Sequence, residues 1–220
     1  MPTSTADTTE TLFSHSIEEV RVGKFSFRLC LIRDLDEALE HYVKVSPNDT
    51  DKIPYFTRLW ESAQALAEFV VEQQEIFAGR RVLELGCGLG LPALCAGKCG
   101  AQVTAADFHP DNRAFFLRNA ALNGLTGIEY WQLDWRNPGP ERQFEIILGS
   151  DLIYEKEMLE PLVACVCRYL TPGGRFFFAD PGRNALQRAV TLFEQAGFSW
   201  ELHPTREIFR FVFTRPEENG

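Results

Sequence analysis

Residues Val82 to Gly90 read V-L-E-L-G-C-G-L-G, and the next apolar run, Ala101 to Ala106, closes on an acid, Asp107. A strand, a glycine turn, a helix, a second strand and a carboxylate at its tip make a parallel unit whose carboxyl edge takes a nucleotide-like ligand. The glycines let the chain reverse sharply and bring bare backbone to the ligand, where a Cβ would hold it away. At the tip of the second strand, Asp107 offers a carboxylate that accepts two hydrogen bonds from a ribose diol. The glycine spacing narrows the ligand. In a G-x-G-x-x-G pattern counted from Gly86 the sixth position is Leu91, and the third glycine comes one residue early, at Gly90. That disfavours NAD and an NAD-dependent oxidoreductase.

From Arg80 onward, strand and helix patterns alternate: strand 81–85, helix 90–98, strand 102–106, helix 110–123, strand 128–132, strand 144–149, helix 155–170, strand 174–179, helix 184–196, and strands 198–203 and 207–214. The short link around Pro204-Thr205 demands antiparallel pairing of the last two strands. The fold class is therefore α/β, a Rossmann-like, seven-stranded, mostly parallel sheet with an antiparallel last strand and helices on both faces. Ahead of it, Ile17–Arg21 and Lys24–Ile32 flank Val22-Gly23 as a hairpin with Phe25, Phe27, Leu29 and Leu31 inward. Asp34 caps a helix to about Val45, and Ser46 to Asp51 is a loop. Three parts follow: a disordered tail over 1–14, a hairpin-plus-helix extension over 15–57, and the main domain over 58–216.

Composition excludes several classes. The chain carries a formal charge of −9 and no dense Lys or Arg cluster, so a nucleic-acid partner is disfavoured. No apolar run reaches membrane-spanning length, and the start is polar, which points to the cytoplasm and no membrane partner. The six cysteines form no C-x-x-C pair and lack ligand-spaced partners, so buried free thiols are expected and no metal site. A monomer is the default.

The strand ends are where chemistry gathers in such a sheet. After the third strand, Asp134 and Trp135 offer a carboxylate to an adenine amino group and an indole to its ring, with a capped turn and a packed indole as the plain alternative. After the fourth comes Ser150-Asp151-Leu-Ile-Tyr154, where Asp151 is suited to orient an amine and Tyr154 to shape the entrance, or else Asp151 caps helix 155–170. After the fifth, Asp180-Pro-Gly-Arg183 is a rigid turn with an acid and an arginine at the mouth, either a substrate contact or a surface turn.

The block Glu84-Leu-Gly-Cys-Gly-Leu-Gly90 resembles the first motif of class I, seven-strand methyltransferases that use S-adenosyl-L-methionine, and the agreement covers about 58–215. The resemblance implies cofactor roles for Glu84, near the amino group, and for Gly86, Cys87, Gly88, Gly90, Asp107, Asp134, Trp135 and Ser150, with S-adenosyl-L-homocysteine as product. Asp151-x-x-Tyr154 is similar to the D-x-x-Y motif of the protein lysine methyltransferase family, and Asp180-Pro-Gly-Arg183 to its branch that modifies electron-transfer flavoprotein. The prolines of the Asn/Asp-Pro-Pro-Tyr motif, which nucleobase and glutamine enzymes carry here, are missing. Trp60, in Pro54-Tyr-Phe-x-x-Leu-Trp, is similar to a tryptophan that crosses the methionine end of the cofactor in that family, and Tyr55, Phe56 and Arg58 are weaker entrance candidates. A methyltransferase acting on a protein lysine or related amine is expected. A small-molecule N-methyltransferase and a non-catalytic binding scaffold are the other readings.

Overall fold

The computed structural model describes residues 13–45, 53–205 and 207–217. Its main sheet has the strands β3 (Arg81–Leu85), β4 (Gln102–Asp107), β5 (Glu129–Gln132), β6 (Phe144–Ser150), β7 (Leu170–Asp180), β8 (Ser199–Pro204) and β9 (Phe209–Thr214). They run in the order β5-β4-β3-β6-β7-β9-β8, and β9 alone runs opposite to the other six. From β3 the chain winds outward to β5 and then crosses back to β6 on the other side of β3. The order of winding reverses there, and the helices that follow the two strands leave in opposite directions and open a crevice between them.

Alternation along β3 shows why one sheet carries two cores. Val82 points into a cluster with Leu66, Phe69, Leu91 and Leu94, from the helices α2 (Glu61–Glu72) and α3 (Leu91–Lys98). Leu83 and Leu85 point into the opposite cluster with Leu162, Val166 and Phe193, from α5 (Leu159–Tyr169) and α6 (Leu186–Gln195). Period-two side chains on a strand covered on both sides give this arrangement.

The amino-terminal hairpin, β1 (His15–Val22) with β2 (Phe25–Ile32), turns on Gly23-Lys24 rather than on Val22-Gly23, since Val22 pairs with Phe25 and Gly23 takes φ +54°. A two-residue turn with glycine first suits the strand twist. Asp34 caps α1 (Leu35–Val45) as expected, its Oδ1 accepting the Glu37 N–H at 3.0 Å. Two asparagines one turn apart on α4 (Asn112–Leu122) and at its end dock the hairpin. Asn119 Oδ1 accepts the Cys30 N–H at 2.7 Å, and Asn123 accepts the Arg28 N–H at 2.9 Å while donating to the Arg28 carbonyl at 2.8 Å. The side-chain amides imitate a neighbouring strand and satisfy the hairpin's edge.

Residues 1–12 of the expected tail and the loop 46–51 lie outside the described residues. Phe13, also assigned to the tail, is instead 6% exposed and stacks on Tyr42 at 6.2 Å. Helix 155–170 is shorter than expected, a 3₁₀ turn over Lys156–Met158 leading into α5. β7 starts earlier, because ladder pairing is carried past Pro172-Gly173-Gly174 by a register shift between Phe144 and Ile146. No helix of the described residues is long and apolar enough to cross a membrane.

Candidate active site

A cavity of about 300 Å³ opens at the carboxyl ends of β3, β4 and β6, where the winding reverses. Its lining brings together Tyr55, Phe56, Arg58 and Trp60 from before the sheet with Gly86, Cys87, Gly88 and Gly90. Asp107, Trp135, Ser150, Asp151, Tyr154 and Arg183 line it too. That volume is at the low end for small-molecule sites.

The glycine loop is built from backbone. Gly86, Gly88 and Gly90 all adopt left-handed φ, at +59°, +51° and +81°. The space that a Cβ would need is taken by protein at two of them: it would stand 2.7 Å from Leu152 at Gly86 and 2.4 Å from the Phe116 ring at Gly90. Packing, not only ligand approach, therefore excludes side chains there. Asp107 stitches the loop to β4, its Oδ2 accepting the Gly88 N–H at 2.9 Å and its Oδ1 the His109 N–H at 3.0 Å. Burial raises the pKa of Asp107 above the ordinary aspartate value and outweighs these hydrogen bonds, which favour the charged form. Wholly buried Asn112 adds a second stitch by donating to the Gly88 carbonyl at 2.7 Å. Sequence reasoning missed Asn112, although an amide in the first turn of an otherwise core-facing helix is a detectable signal.

The opposite lip is built from side chains. Asp151 is the one non-glycine among the described residues with positive φ, at +58°. An aspartate in that region carries about 1–2 kcal/mol of strain, which the fold must hold in place. It does not cap a helix: its N–H reaches the Ala179 carbonyl at 3.1 Å, tying it to β7. Its Oδ1 lies 2.6 Å from Arg183 Nη2, while Oδ2 is buried with no hydrogen-bond partner. Burial raises the Asp151 pKa, and Arg183 only partly offsets it. The buried Ser62 hydroxyl of α2 also favours the charged form. At the mouth, exposed Tyr154 faces Tyr55 at 6.2 Å, and Tyr55 faces Trp60 at the same distance. Trp60 sits at the start of α2, its indole donating to the Tyr55 carbonyl at 3.0 Å and its ring under Arg58 at 5.1 Å.

Three expected site residues stand outside the cavity lining. Glu84 is 1% exposed, and its carboxylate turns under the loop to accept the Ala93 N–H of α3 at 2.9 Å. A free N–H in a helix's first turn attracts it there. Asp134 caps its own turn, accepting the Arg136 N–H and guanidinium, each at 2.9 Å. Asp180 is fully buried and accepts the Gly182 and Arg183 N–H groups at 2.8 Å. Trp135 does line the cavity, and its indole N–H is buried without a partner. Sequence reasoning also missed Phe108, His109 and Leu152, which line the cavity and carry no motif signal.

The family model described as lysine methyltransferase matches residues 47–190. The chain belongs to that lysine methyltransferase family. Relatives include the electron transfer flavoprotein beta subunit lysine methyltransferase of Xenopus laevis, 33% identical over 59% of this chain and 53% of that protein. The histone-arginine methyltransferase METTL23 of Xenopus laevis is 30% identical over 67% of this chain and 64% of its own length. The chain spans about half to two thirds of the length of these relatives. Among solved structures, the 16S rRNA N2 G1207 methyltransferase of T. Thermophilus, in complex with AdoMet and guanosine, superimposes with a TM-score of 0.68. It is 17% identical and covers 91% of this chain and 50% of that one. The ribosomal protein L11 methylase of Lactobacillus delbrueckii subsp. bulgaricus gives a TM-score of 0.61 at 21% identity, over 71% of this chain and 80% of that one. At these identities the two structures establish the fold, and family membership removes the nicotinamide reading.

Proposed function

We propose that this protein is an S-adenosyl-L-methionine-dependent methyltransferase that N-methylates an amine on a protein, with lysine as the acceptor side chain. The observation that carries this reading is a single cavity joining the backbone-built loop at Gly86–Gly90 and Asp107 to the strained carboxylate of Asp151.

The residues present fit the cofactor. The Trp135 indole, with its unpartnered N–H, suits a purine, and Asp107 keeps acceptor capacity for a ribose diol beyond its two backbone contacts. Cys87, Ser150 and Trp60 line the remainder, where a methionine moiety would lie. The bound cofactor supplies an electrophilic methyl group on a positively charged sulfur. Asp151, at the cavity lip, would hold an acceptor amine by one N–H and leave its lone pair free for methylation, a positioning contribution that dominates such displacements. Methylation would leave the amine with one surplus proton, which Asp151 or water would take. Tyr55 and Tyr154 flank the entrance and offer ring faces to the aliphatic stem and cationic head of the acceptor.

A cofactor-sized ligand occupies most of a 300 Å³ cavity, so the acceptor enters from the aromatic mouth. That favours a side chain presented by a protein over a free small amine. The net charge of −9 speaks against a nucleic-acid partner, and six free cysteines suit a reducing compartment, so we propose a cytoplasmic protein, with a monomer as the default.

Calorimetric titration with S-adenosyl-L-homocysteine, with NADH as control, tests the cofactor. Transfer of labelled methyl to lysines of cell-extract proteins, lost in Asp151→Asn, tests the reaction. Silence toward S-adenosyl-L-homocysteine would leave only the non-catalytic scaffold.

A further inference from the structure

Asp151 and Arg183 come from different strand ends and meet at the cavity lip. The two nitrogens at the tip of this guanidinium are both engaged: Nη2 is 2.6 Å from Asp151 Oδ1, and Nη1 is 2.7 Å from Oδ2 of the fully buried Asp180. Asp180 in turn is pinned by the Gly182 and Arg183 N–H groups at 2.8 Å. Arg183 is therefore clamped between two carboxylates, and Asp151 is left with one oxygen, Oδ2, that has no partner.

Resting on the methyltransferase reading above, we propose that Arg183 determines acceptor specificity: by occupying one oxygen of Asp151 it leaves a single-point acceptor that takes an alkylamine and rejects a guanidinium. An ammonium or amine is a point donor, satisfied by one oxygen, whereas a guanidinium recognises a carboxylate through a planar fork that needs both. Here the protein's own guanidinium already fills half of that fork, and its positive charge opposes a second one beside it. The same charge serves the chemistry. An uncompensated carboxylate would hold the acceptor as an ammonium with no lone pair, and Arg183 offsets that pull so that the amine can shed its proton. Burial lowers the Arg183 pKa, but the hydrogen bonds and charges of Asp151 and Asp180 more than reverse this, so the guanidinium stays charged.

The test is a nuclear magnetic resonance titration of the full chain saturated with S-adenosyl-L-homocysteine, using n-butylamine and n-butylguanidine as side-chain probes. The expected result is that n-butylamine perturbs the Tyr154 resonances at concentrations at least about tenfold below those n-butylguanidine requires. In Arg183→Met that preference collapses toward equality. In Arg183→Lys, which returns a point charge without the fork, it is partly restored. The preference is a ratio, which a partly unfolded sample leaves unchanged. Equal or tighter binding of n-butylguanidine by the wild type overturns the proposal, as does binding of neither probe or an unaltered ratio in Arg183→Met. Failure to saturate with S-adenosyl-L-homocysteine would instead sink the cofactor reading on which the proposal stands.

Discussion

The two sides of the cavity are made differently. On the β3–β4 side, a loop of left-handed glycines is held by main-chain groups and by Asp107 and Asn112, residues within about one βαβ unit of one another. On the β6–β7 side, Asp151, the Asp180–Arg183 turn and Ser62 converge from three separated segments through a charged network. The first side is a local structure, so any substitution that deforms the turn deforms the cradle. The second is a tertiary assembly. It can lose its chemistry while the cradle survives.

That contrast can be broken most severely at Gly90. A valine there would combine the left-handed φ of +81° with a Cβ 2.4 Å from Phe116. We expect Gly90→Val to cost roughly 2–4 kcal/mol, from conformational strain and overpacking together. A thermal melt should show a fall of several degrees, and an unchanged melt would mean that the loop is not a packed unit. At Asp151 the expected pattern is the reverse. Asp151→Asn should lower turnover by about 100-fold while leaving S-adenosyl-L-homocysteine affinity nearly intact, the signature of a group acting toward the acceptor. Parallel loss of both would merge the two sides into one.

Asp107→Ala should weaken S-adenosyl-L-homocysteine binding by about 1–3 kcal/mol, since it removes a ribose acceptor and a loop stitch together. The same site predicts a pH effect. Burial is the largest influence on the Asp107 carboxyl and holds its pKa above the usual 3.8, so cofactor affinity should fall on acidification earlier than an ordinary aspartate would allow. Calorimetry across the acidic range checks this, and a flat profile would remove Asp107 from the ribose site.

The smallest effect is expected at Glu84, which sharpens the boundary of the cradle. Burial raises its pKa well above 4.5, so the folded state binds that proton more tightly than the unfolded chain does. The stability it contributes is therefore fully present below the unfolded pKa and is lost as pH rises through the folded one. Glu84→Gln should remove this decline, gaining a few degrees relative to wild type at about pH 8 compared with about pH 4. Its S-adenosyl-L-homocysteine affinity should stay within about threefold, because the carboxylate serves α3 rather than the cavity. A large loss of affinity would return Glu84 to the cofactor.

Much of the cradle was legible because its signals are short-range: a strand period, a glycine run and an acid at the next strand tip. The β6–β7 side was legible only in part. Asp151 and Tyr154 announce themselves at the end of β6, but nothing local says that Asp151 takes a left-handed φ or that Arg183 reaches it. Asp134 and Glu84 mislead for the same reason. Each has the right chemistry near the right strand, but Asp134 finds a nearer N–H in its own turn and Glu84 one in the helix that follows its strand. Trp60 carries only its resemblance to a cofactor-crossing tryptophan, and the structure sets it just ahead of α2, in the aromatic mouth.

By itself the sequence determined the strand and helix alternation, the glycine turn and the carboxyl-edge location of the site, because these follow from side-chain period and backbone sterics within a few residues. The tertiary structure alone decided which carboxylates face the cavity and how many oxygens each has left to offer. Burial and pairing are set by neighbours from distant segments, and a carboxylate's role depends on which donor reaches it first.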